Sequence, residues 1–266
     1  MTQRLISLAA GVSPELAADP ERFVRTAAAA GWPACGVWFD AESWTDATTA
    51  AVRRAFDDTG MVPVDMEVIR MGTDLDQGER LVDAAAEIGA RNILTISAFT
   101  DPGAAAERLV QLQERAAPAG IRVCLEFMRF TAVRTLGDAI AVVDATGSDQ
   151  VGILVDLLHL HRSGGSVDDV RAADPALFPY AQWCDAPAEP RGWETREIIV
   201  DALDDRCAPG EGGLDALGFP ALFAPEVPMS MEVRSRALRE GFADPTERAA
   251  HLLERTRAAA EAGAAE

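Results

Sequence analysis

Five glycines recur along the first half of the chain at a nearly fixed interval: Gly31, Gly60, Gly89, Gly120 and Gly147. The first four stand directly before or within a few residues of the strand-like runs PACGVWF, MVPVDM, ARNILTIS and IRVCLE, and Gly147 shortly precedes VGILVD. Glycine just past a helix end supplies the left-handed backbone that turns a chain back on itself, so the interval marks a repeated helix-to-strand return. Between the returns, Pro20–Ala30, Asp46–Thr59, Asp76–Ile88, Pro102–Ala117 and Thr135–Ala145 carry amphipathic patterns long enough for about three helical turns. Alternating strands and helices of this kind build parallel sheets with right-handed crossovers. Eight strand-like runs, at 4–9, 34–39, 62–67, 91–97, 120–126, 151–156, 178–184 and 227–232, predict an α/β fold with one closed (β/α)8 barrel over residues 1–266. The tail Asp244–Glu266 reads as an arginine- and alanine-rich helix that closes the barrel, with a frayed end at AEAGAAE. The excursion before the eighth run, which includes PAEPRGWETRE and RCAPGEGGL, breaks the regular period and is expected on the binding face.

Charge and composition narrow the functional classes. The 266 residues carry a formal net charge of −19, which disfavours nucleic acid as a partner. All 24 basic residues are arginines, so a Schiff-base lysine, a Walker-type phosphate loop and a lysine base are excluded. No GxGxxG loop follows the first strand, and NAD is not expected. Cys35, Cys124, Cys184 and Cys207 are scattered without a CxxC pair and read as free thiols of a reducing cytoplasm. The N-terminus lacks a long apolar signal core and no run is long enough to span a bilayer, so the expected location is cytoplasmic, away from membranes.

Four polar residues fall at or beside the C-terminal ends of strand-like runs: Glu126, Asp156, Gln182 and Glu232. In a (β/α)8 barrel those ends open onto one face. A single strand-end aspartate often does no more than cap a turn. Three carboxylates and an amide oxygen on four strands, however, make a ligand set for a hard divalent cation such as Mn or Mg. His159, three residues after Asp156, is placed to donate to a developing oxyanion or to move a proton. Asp185 either contacts substrate, orients a ligand, or forms a turn; Arg206 either forks onto substrate oxygens or joins a surface ion pair. Glu67 and Arg70 after the third run, and Arg129 after Glu126, reach for the mouth or belong to rim salt bridges. Trp38 and Phe39 offer an apolar wall or core packing, and His161 and His251 read as structural.

The segments LEF at Glu126, DLLH from Asp156 to His159, QWCDAP from Gln182 through Asp185, RCAPGEG and SMEV around Glu232 together resemble the xylose isomerase-like TIM-barrel superfamily. That resemblance implies a divalent metal, Mn or Mg with Co or Zn as alternatives, held by Glu126, Asp156, Gln182 and Glu232, with Arg206 on the substrate. It implies an isomerase or epimerase of a small sugar or polyol ketone, in which Glu126 and Glu232 relay a proton through an enediolate. Many sugar epimerases of this group carry histidine where this chain has Gln182. The same arrangement also resembles 3-dehydroshikimate dehydratases, where the His159 position is the favoured base. A barrel that only binds sugar or serves as a scaffold is the non-catalytic alternative, and pairing into a homo-oligomer is expected by analogy. The DNA repair endonucleases of the superfamily need a histidine-rich zinc cluster, which three histidines and a charge of −19 do not support.

Overall fold

Helix ends turn into strands where the glycines predicted it: Gly60 and Gly89 take φ of 69° and 84° as the residues that cap their helices. The computed structural model describes residues 4–263. Eight parallel strands, β1 (Ile6–Leu8), β2 (Ala34–Trp38), β3 (Val62–Met71), β4 (Asn92–Ser97), β5 (Arg122–Glu126), β6 (Gly152–Asp156), β7 (Ala181–Trp183) and β8 (Met229–Met231), pair in chain order, and β8 closes on β1. Ten α-helices accompany them among the described residues: α1 (Pro20–Ala29), α2 (Asp46–Thr59), α3 (Gly78–Ile88), α4 (Pro102–Ala116), α5 (Leu136–Thr146), α6 (Leu157–Arg162), α7 (Val167–Ala172), α8 (Thr195–Asp204), α9 (Arg236–Gly241) and α10 (Pro245–Gly263). Several helices start on polar caps that the sequence supplies, such as Thr45 for α2 and Thr135 for α5, each in a reciprocal capping box.

The main apolar core fills the layer between strands and helices, where Leu8, Met66, Ile93, Val155 and Met231 meet helix residues such as Val24, Leu81 and Leu109. Inside the barrel, Ala34, Val64, Leu94, Cys124, Leu154 and Tyr180 form a separate plug. Above that plug the barrel interior turns polar, and the site is built there.

Strand lengths depart most from the sequence expectation at four places, the first being β1, Ile6–Leu8 against 4–9. β7 and β8 are shorter than 178–184 and 227–232, since Pro179 and Pro228 lack an N–H for the ladder. β3 instead runs on to Met71 through two irregularities. Cys35 pairs with Pro63 and Val37 with Met66, so Gly36 alone faces both Val64 and Asp65. Met66 pairs with Ile93 and Ile69 with Thr95, so Leu94 faces both Glu67 and Val68. Bulges of this kind re-aim side chains. Helix α10 continues to Gly263, so the first part of AEAGAAE is helical; residues 264–266 of that expectation lie outside the described residues. Cys35, Cys124 and Cys184 are buried free thiols and Cys207 is partly exposed.

The first bulge turns Asp65 into the barrel, against the space that a side chain on Gly36 would fill: a Cβ there would stand 2.8 Å from Asp65 Oδ1. Asp65 is fully buried and neither of its oxygens has a hydrogen-bond partner. Burial, reinforced by the charge of Glu232, raises its pKa from 3.8 to about 7. The folded chain therefore keeps a proton that the unfolded chain releases, and stability falls as pH rises from the ordinary value to about 7, staying low above it. Asp65→Asn is expected to remove that decline and to stabilise the chelator-treated protein by about 2–4 kcal/mol at pH 8. Urea unfolding from pH 4 to pH 8 reads it; a mutant whose stability declines as steeply as the parent's contradicts this reading of Asp65.

Candidate active site at the barrel mouth

Glu126 and Asp156 are the last residues of β5 and β6, Gln182 lies in β7 in register with Asp156, and Glu232 directly follows β8. Glu126, Gln182 and Glu232 line one cavity of about 260 Å³, together with Trp38, Glu67, Arg70, Met128, Phe130, His159, Arg206 and Arg234. All four of the strand-end residues are buried.

Asp156 is the most tightly held of them. Its Oδ1 accepts the backbone N–H of His159 at 3.0 Å, which makes it the cap of α6, and its Oδ2 accepts Nη1 of Arg206 at 2.5 Å. Burial alone would raise its pKa, but the charge and hydrogen bond of Arg206, with the contributions of His159, hold it below the usual carboxylate value. The amide oxygen of Gln182 faces Glu126 Oε1 at 3.1 Å and Asp156 Oδ2 at 3.2 Å, so three oxygens converge there. A half-turn of the amide would instead let its NH₂ donate to both carboxylates.

Glu126 and Glu232 lack such compensation. Burial pushes both pKa values up; Asp156 adds to the rise, while Arg206 and Arg234 oppose it. Glu232 Oε2 has no hydrogen-bond partner, and Oε1 lies 3.8 Å from Nε of Arg234. Room for this carboxylate comes from Gly11, in the turn after β1, where a Cβ would collide with Glu232 Oε1 and approach Arg234 Nε to 2.9 Å. Glu126, Asp156 and His159 offer donor atoms that all lie within 4.8 Å of one another. Glu232 borders the same cavity but does not belong to that tight group, so three of the four expected ligands line one cavity, while Asp156 reaches it only through its closeness to Glu126 and His159.

His159 lies edge-on to Phe130, with ring centroids 5.7 Å apart, and Nε2 is 4.0 Å from Glu126 Oε1. Burial lowers its pKa to about 4, although Asp156 pulls the other way. The imidazole is therefore neutral. Nη2 of Arg206 lies 3.3 Å from Nε2, and because a guanidinium only donates, Nε2 is the accepting nitrogen and Nδ1 carries the proton.

Arg206 itself is not a rim residue waiting for substrate, nor a surface ion pair. It is 3% exposed, and its donors go to Asp156, His159, the carbonyl of Ala202 and the sulfur of Cys184. A guanidinium edge still borders the cavity, but the main use of its charge is to stabilise Asp156. Asp185 is turned away from the mouth. Its two oxygens accept the backbone N–H groups of Ala186, Leu214, Gly210 and Gly212, so the turn reading of this aspartate replaces the substrate reading. Arg129 is exposed outside the cavity, its guanidinium 5.2 Å from the ring centroid of Trp193. Glu67 and Arg70 do line the cavity, Glu67 5% exposed with Oε1 unpartnered and its pKa raised well up, first by burial and then by Glu232 and Asp65. Trp38 forms a wall, whereas Phe39 packs on Trp44 in the core. His251 stacks on Phe242.

Arg234, Asp65 and Gly11 were not singled out from the sequence. Arg234 follows Glu232 by two residues, so the alternation continuing past the strand end was the signal for it. Asp65 is visible only once the bulge is known, and Gly11 only once Glu232 is placed. A wider cleft of about 720 Å³ lies behind Arg206, but its aspartates are engaged: Asp201 by Arg162, Asp204 by Arg236 and Arg239, and Asp205 by Arg191.

Residues 24–225 match the xylose isomerase-like TIM barrel family. The chain belongs to that family. Inosose isomerase of Halalkalibacterium halodurans is 33% identical over 109 residues, covering 40% of this chain and 36% of the relative. A 3-dehydroshikimate dehydratase of Pseudomonas aeruginosa is 29% identical over 209 residues, covering 71% of this chain and 31% of the relative. The chain thus aligns with only about a third of the length of either relative. Among solved structures, the IolI protein with a bound zinc atom superposes with a TM-score of 0.75 at 15% identity, over 97% of both chains. A D-allulose 3-epimerase from Methylomonas superposes with a TM-score of 0.70 at 16% identity, over 97% of this chain and 99% of that one. The barrel frame is shared across this group at low identity. No helix among the described residues is long and apolar enough to cross a membrane.

Because Asp185 accepts from its neighbour Ala186 and ties three backbone donors of the 210–214 loop, Asp185→Ala is expected to destabilise the protein by about 2–4 kcal/mol. Asp185→Asn, which keeps the shape and part of the acceptor capacity, is expected to cost less. Urea denaturation compares the two, and an alanine variant as stable as the parent contradicts the structural role of this carboxylate.

Proposed function

We propose that the protein is a divalent-metal-dependent isomerase or epimerase that abstracts a proton beside the carbonyl of a small polyhydroxylated ketone. The observation that carries the reading is the convergence of the Gln182 amide on Glu126 Oε1 and Asp156 Oδ2, in a buried cavity where Glu232 Oε2 is left without a partner. Buried oxygen donors with this composition fit a hard cation, and Mn or Mg suits them best, with Co or Zn as alternatives. Glu126, Asp156 and Gln182 would hold it, and Glu232 would complete the set from the far side of the cavity. A bound zinc in the fold relative IolI supports a cation in this kind of barrel.

When bound, the cation supplies electrophilic stabilisation of the negative charge that develops on the substrate carbonyl oxygen. The side chains supply the rest. Glu232 takes the proton at Oε2, which accepts no other hydrogen bond, and burial makes it a stronger base than a carboxylate in water. Glu126 would return a proton taken up from solvent to the neighbouring carbon or to the opposite face of the resulting enediolate, while Glu232 gives up the one it took, and the burial that raises the pKa of Glu126 favours that uptake. Arg206 keeps Asp156 ionised and fixes the tautomer of His159, and Trp38, Met128 and Phe130 shield the reacting carbon from water.

A second reading, dehydration in the manner of a 3-dehydroshikimate dehydratase, has its own support. The dehydratase match extends over 71% of this chain, against 40% for the inosose isomerase, and neutral His159 borders the cavity, where it would serve as an alternative base once Nε2 is released from Arg206. Glu67, whose pKa burial raises, would then serve as the acid for the departing hydroxyl.

Incubation of the Mn- or Mg-loaded protein with ketoses, inososes and 3-dehydroshikimate in deuterated water tests both. The expected result is deuterium incorporation into one substrate class, abolished by chelation and reduced about 100-fold or more by Glu232→Gln with the fold retained by circular dichroism. New aromatic absorbance from 3-dehydroshikimate would select the dehydratase reading. Absence of exchange from every class, or full exchange by Glu232→Gln, contradicts the proposed chemistry.

A further inference from the structure

We infer that Arg70 and Arg234 form an anion-binding subsite at the β2, β3 and β8 side of the mouth, so that the substrate carries an oxyanion group, a carboxylate or a phosphate ester, in addition to its hydroxyls. This deepens the proposed function, on which it rests for the assignment of the cavity.

The two guanidiniums converge on one aromatic ring. Arg70 lies 5.6 Å and Arg234 5.8 Å from the ring centroid of Trp38, and both border the cavity of Glu126, Gln182 and Glu232. Most other inward-turned arginines of the chain are spent. Arg4 donates to four carbonyls, Arg162 pairs with Asp201, Arg206 with Asp156, and Arg248 with Glu15. Among the described residues the Arg70 guanidinium donates no hydrogen bond, and Arg234 has only the 3.8 Å approach of its Nε to Glu232, too long for a hydrogen bond. Both are partly buried, and among the described residues none of their ten guanidinium N–H donors makes a hydrogen bond.

Nearby carboxylates do not neutralise the pair. Glu67 makes no hydrogen bond to Arg70 and its Oε1 has no partner, and Glu232 Oε1 stays 3.8 Å from Nε of Arg234. Burial lowers the pKa of Arg70, the charge of Glu67 opposes that, and the like charge of Arg234 adds to it, so the two cations lie within reach of one another. Two guanidinium groups brought together in this way suit an oxyanion, which can accept from both at once. The Trp38 ring supports their planes and leaves the N–H edges for the ligand. A neutral sugar gains little from such a pair. A substrate with an anionic end at Arg70 and Arg234 and its carbonyl end towards Glu126 and Asp156 uses both sides of the cavity.

Isothermal titration of the chelator-stripped protein with quinate, myo-inositol 1-phosphate and myo-inositol tests the inference, because the three share a hydroxylated six-carbon ring and differ in the anionic group. At least one of the anionic rings is expected to bind about tenfold or more tightly than myo-inositol. Preference for quinate identifies a carboxylate and preference for the phosphate a phosphate ester. Arg70→Met and Arg234→Met should each lose most of that preference, whereas Arg129→Met, which removes the same charge outside the cavity, should keep it. Equal binding of all three rings by the parent protein overturns the inference without reference to any variant. Preference retained in both cavity variants, or lost equally in Arg129→Met, overturns it as well. Turnover is not needed for this readout, so anion preference in a protein that exchanges no deuterium sinks the proposed chemistry alone, and exchange without anion preference sinks the subsite alone.

Discussion

The ion pair between Arg206 and Asp156, 2.5 Å apart and wholly buried, is the interaction on which the mouth of the barrel depends. Glu67, Glu126, Asp156 and Glu232 are all buried there, and burial favours the protonated form of each. Only Asp156 ends below its usual pKa, because Arg206 stands beside it and the start of α6 offers the His159 N–H. The same guanidinium donates to Nε2 of His159 and thereby selects its tautomer. One fixed cation thus sets a permanent negative charge at the end of β6 and leaves the other carboxylates balanced between holding protons and sharing a further cation. Breaking a buried pair of this kind by removing one member leaves the partner uncompensated, which is why both members sit on elements anchored by the barrel.

Small residues and backbone irregularities shape the space around that pair. Gly11 gives Glu232 and Arg234 their room, Gly36 does the same for Asp65, and the bulges of β3 turn Asp65 and Glu67 inward at successive levels. Polar groups replace the side-chain plug in the upper part of the barrel, and the layer built on Leu94, Leu154 and Tyr180 carries one unpartnered oxygen of its own, the Tyr180 hydroxyl. Unpartnered buried oxygens on Ser7, Asp65, Glu67, Ser230 and Glu232 all belong to the strands that build the barrel or to the residue directly after one. Stability is given up where the chemistry is placed.

Much of the frame was legible in the sequence, since glycine at a helix end and an apolar run after it are local signals. The closed eight-stranded barrel and the common cavity of Glu126, Gln182 and Glu232 follow from strand order alone. Other parts were not legible, for physical reasons. A bulge changes which face a residue takes without changing the apolar pattern, so β3 was read too short and Asp65 was overlooked. Asp185 and Arg206 are both charged residues beside loops, and nothing in their sequence says whether a charged group will meet a ligand, a backbone turn or a buried partner. The structure gives Asp185 to four backbone N–H groups and Arg206 to Asp156. Arg234 escaped notice because it lies beyond the last residue of β8, where the alternation of the strand still governs its direction.

The central claim is that the oxygens gathered at the ends of β5, β6 and β7 hold one divalent cation in place of protons. Calorimetric titration of Mn²⁺ into the chelator-stripped protein, carried out in buffers of different ionisation enthalpy, measures stoichiometry and proton release together. The account predicts one ion per chain, bound with release of protons, and affinity lowered about tenfold or more in both Glu126→Gln and Asp156→Asn. Absence of binding, or binding that is unchanged in both variants, would contradict it.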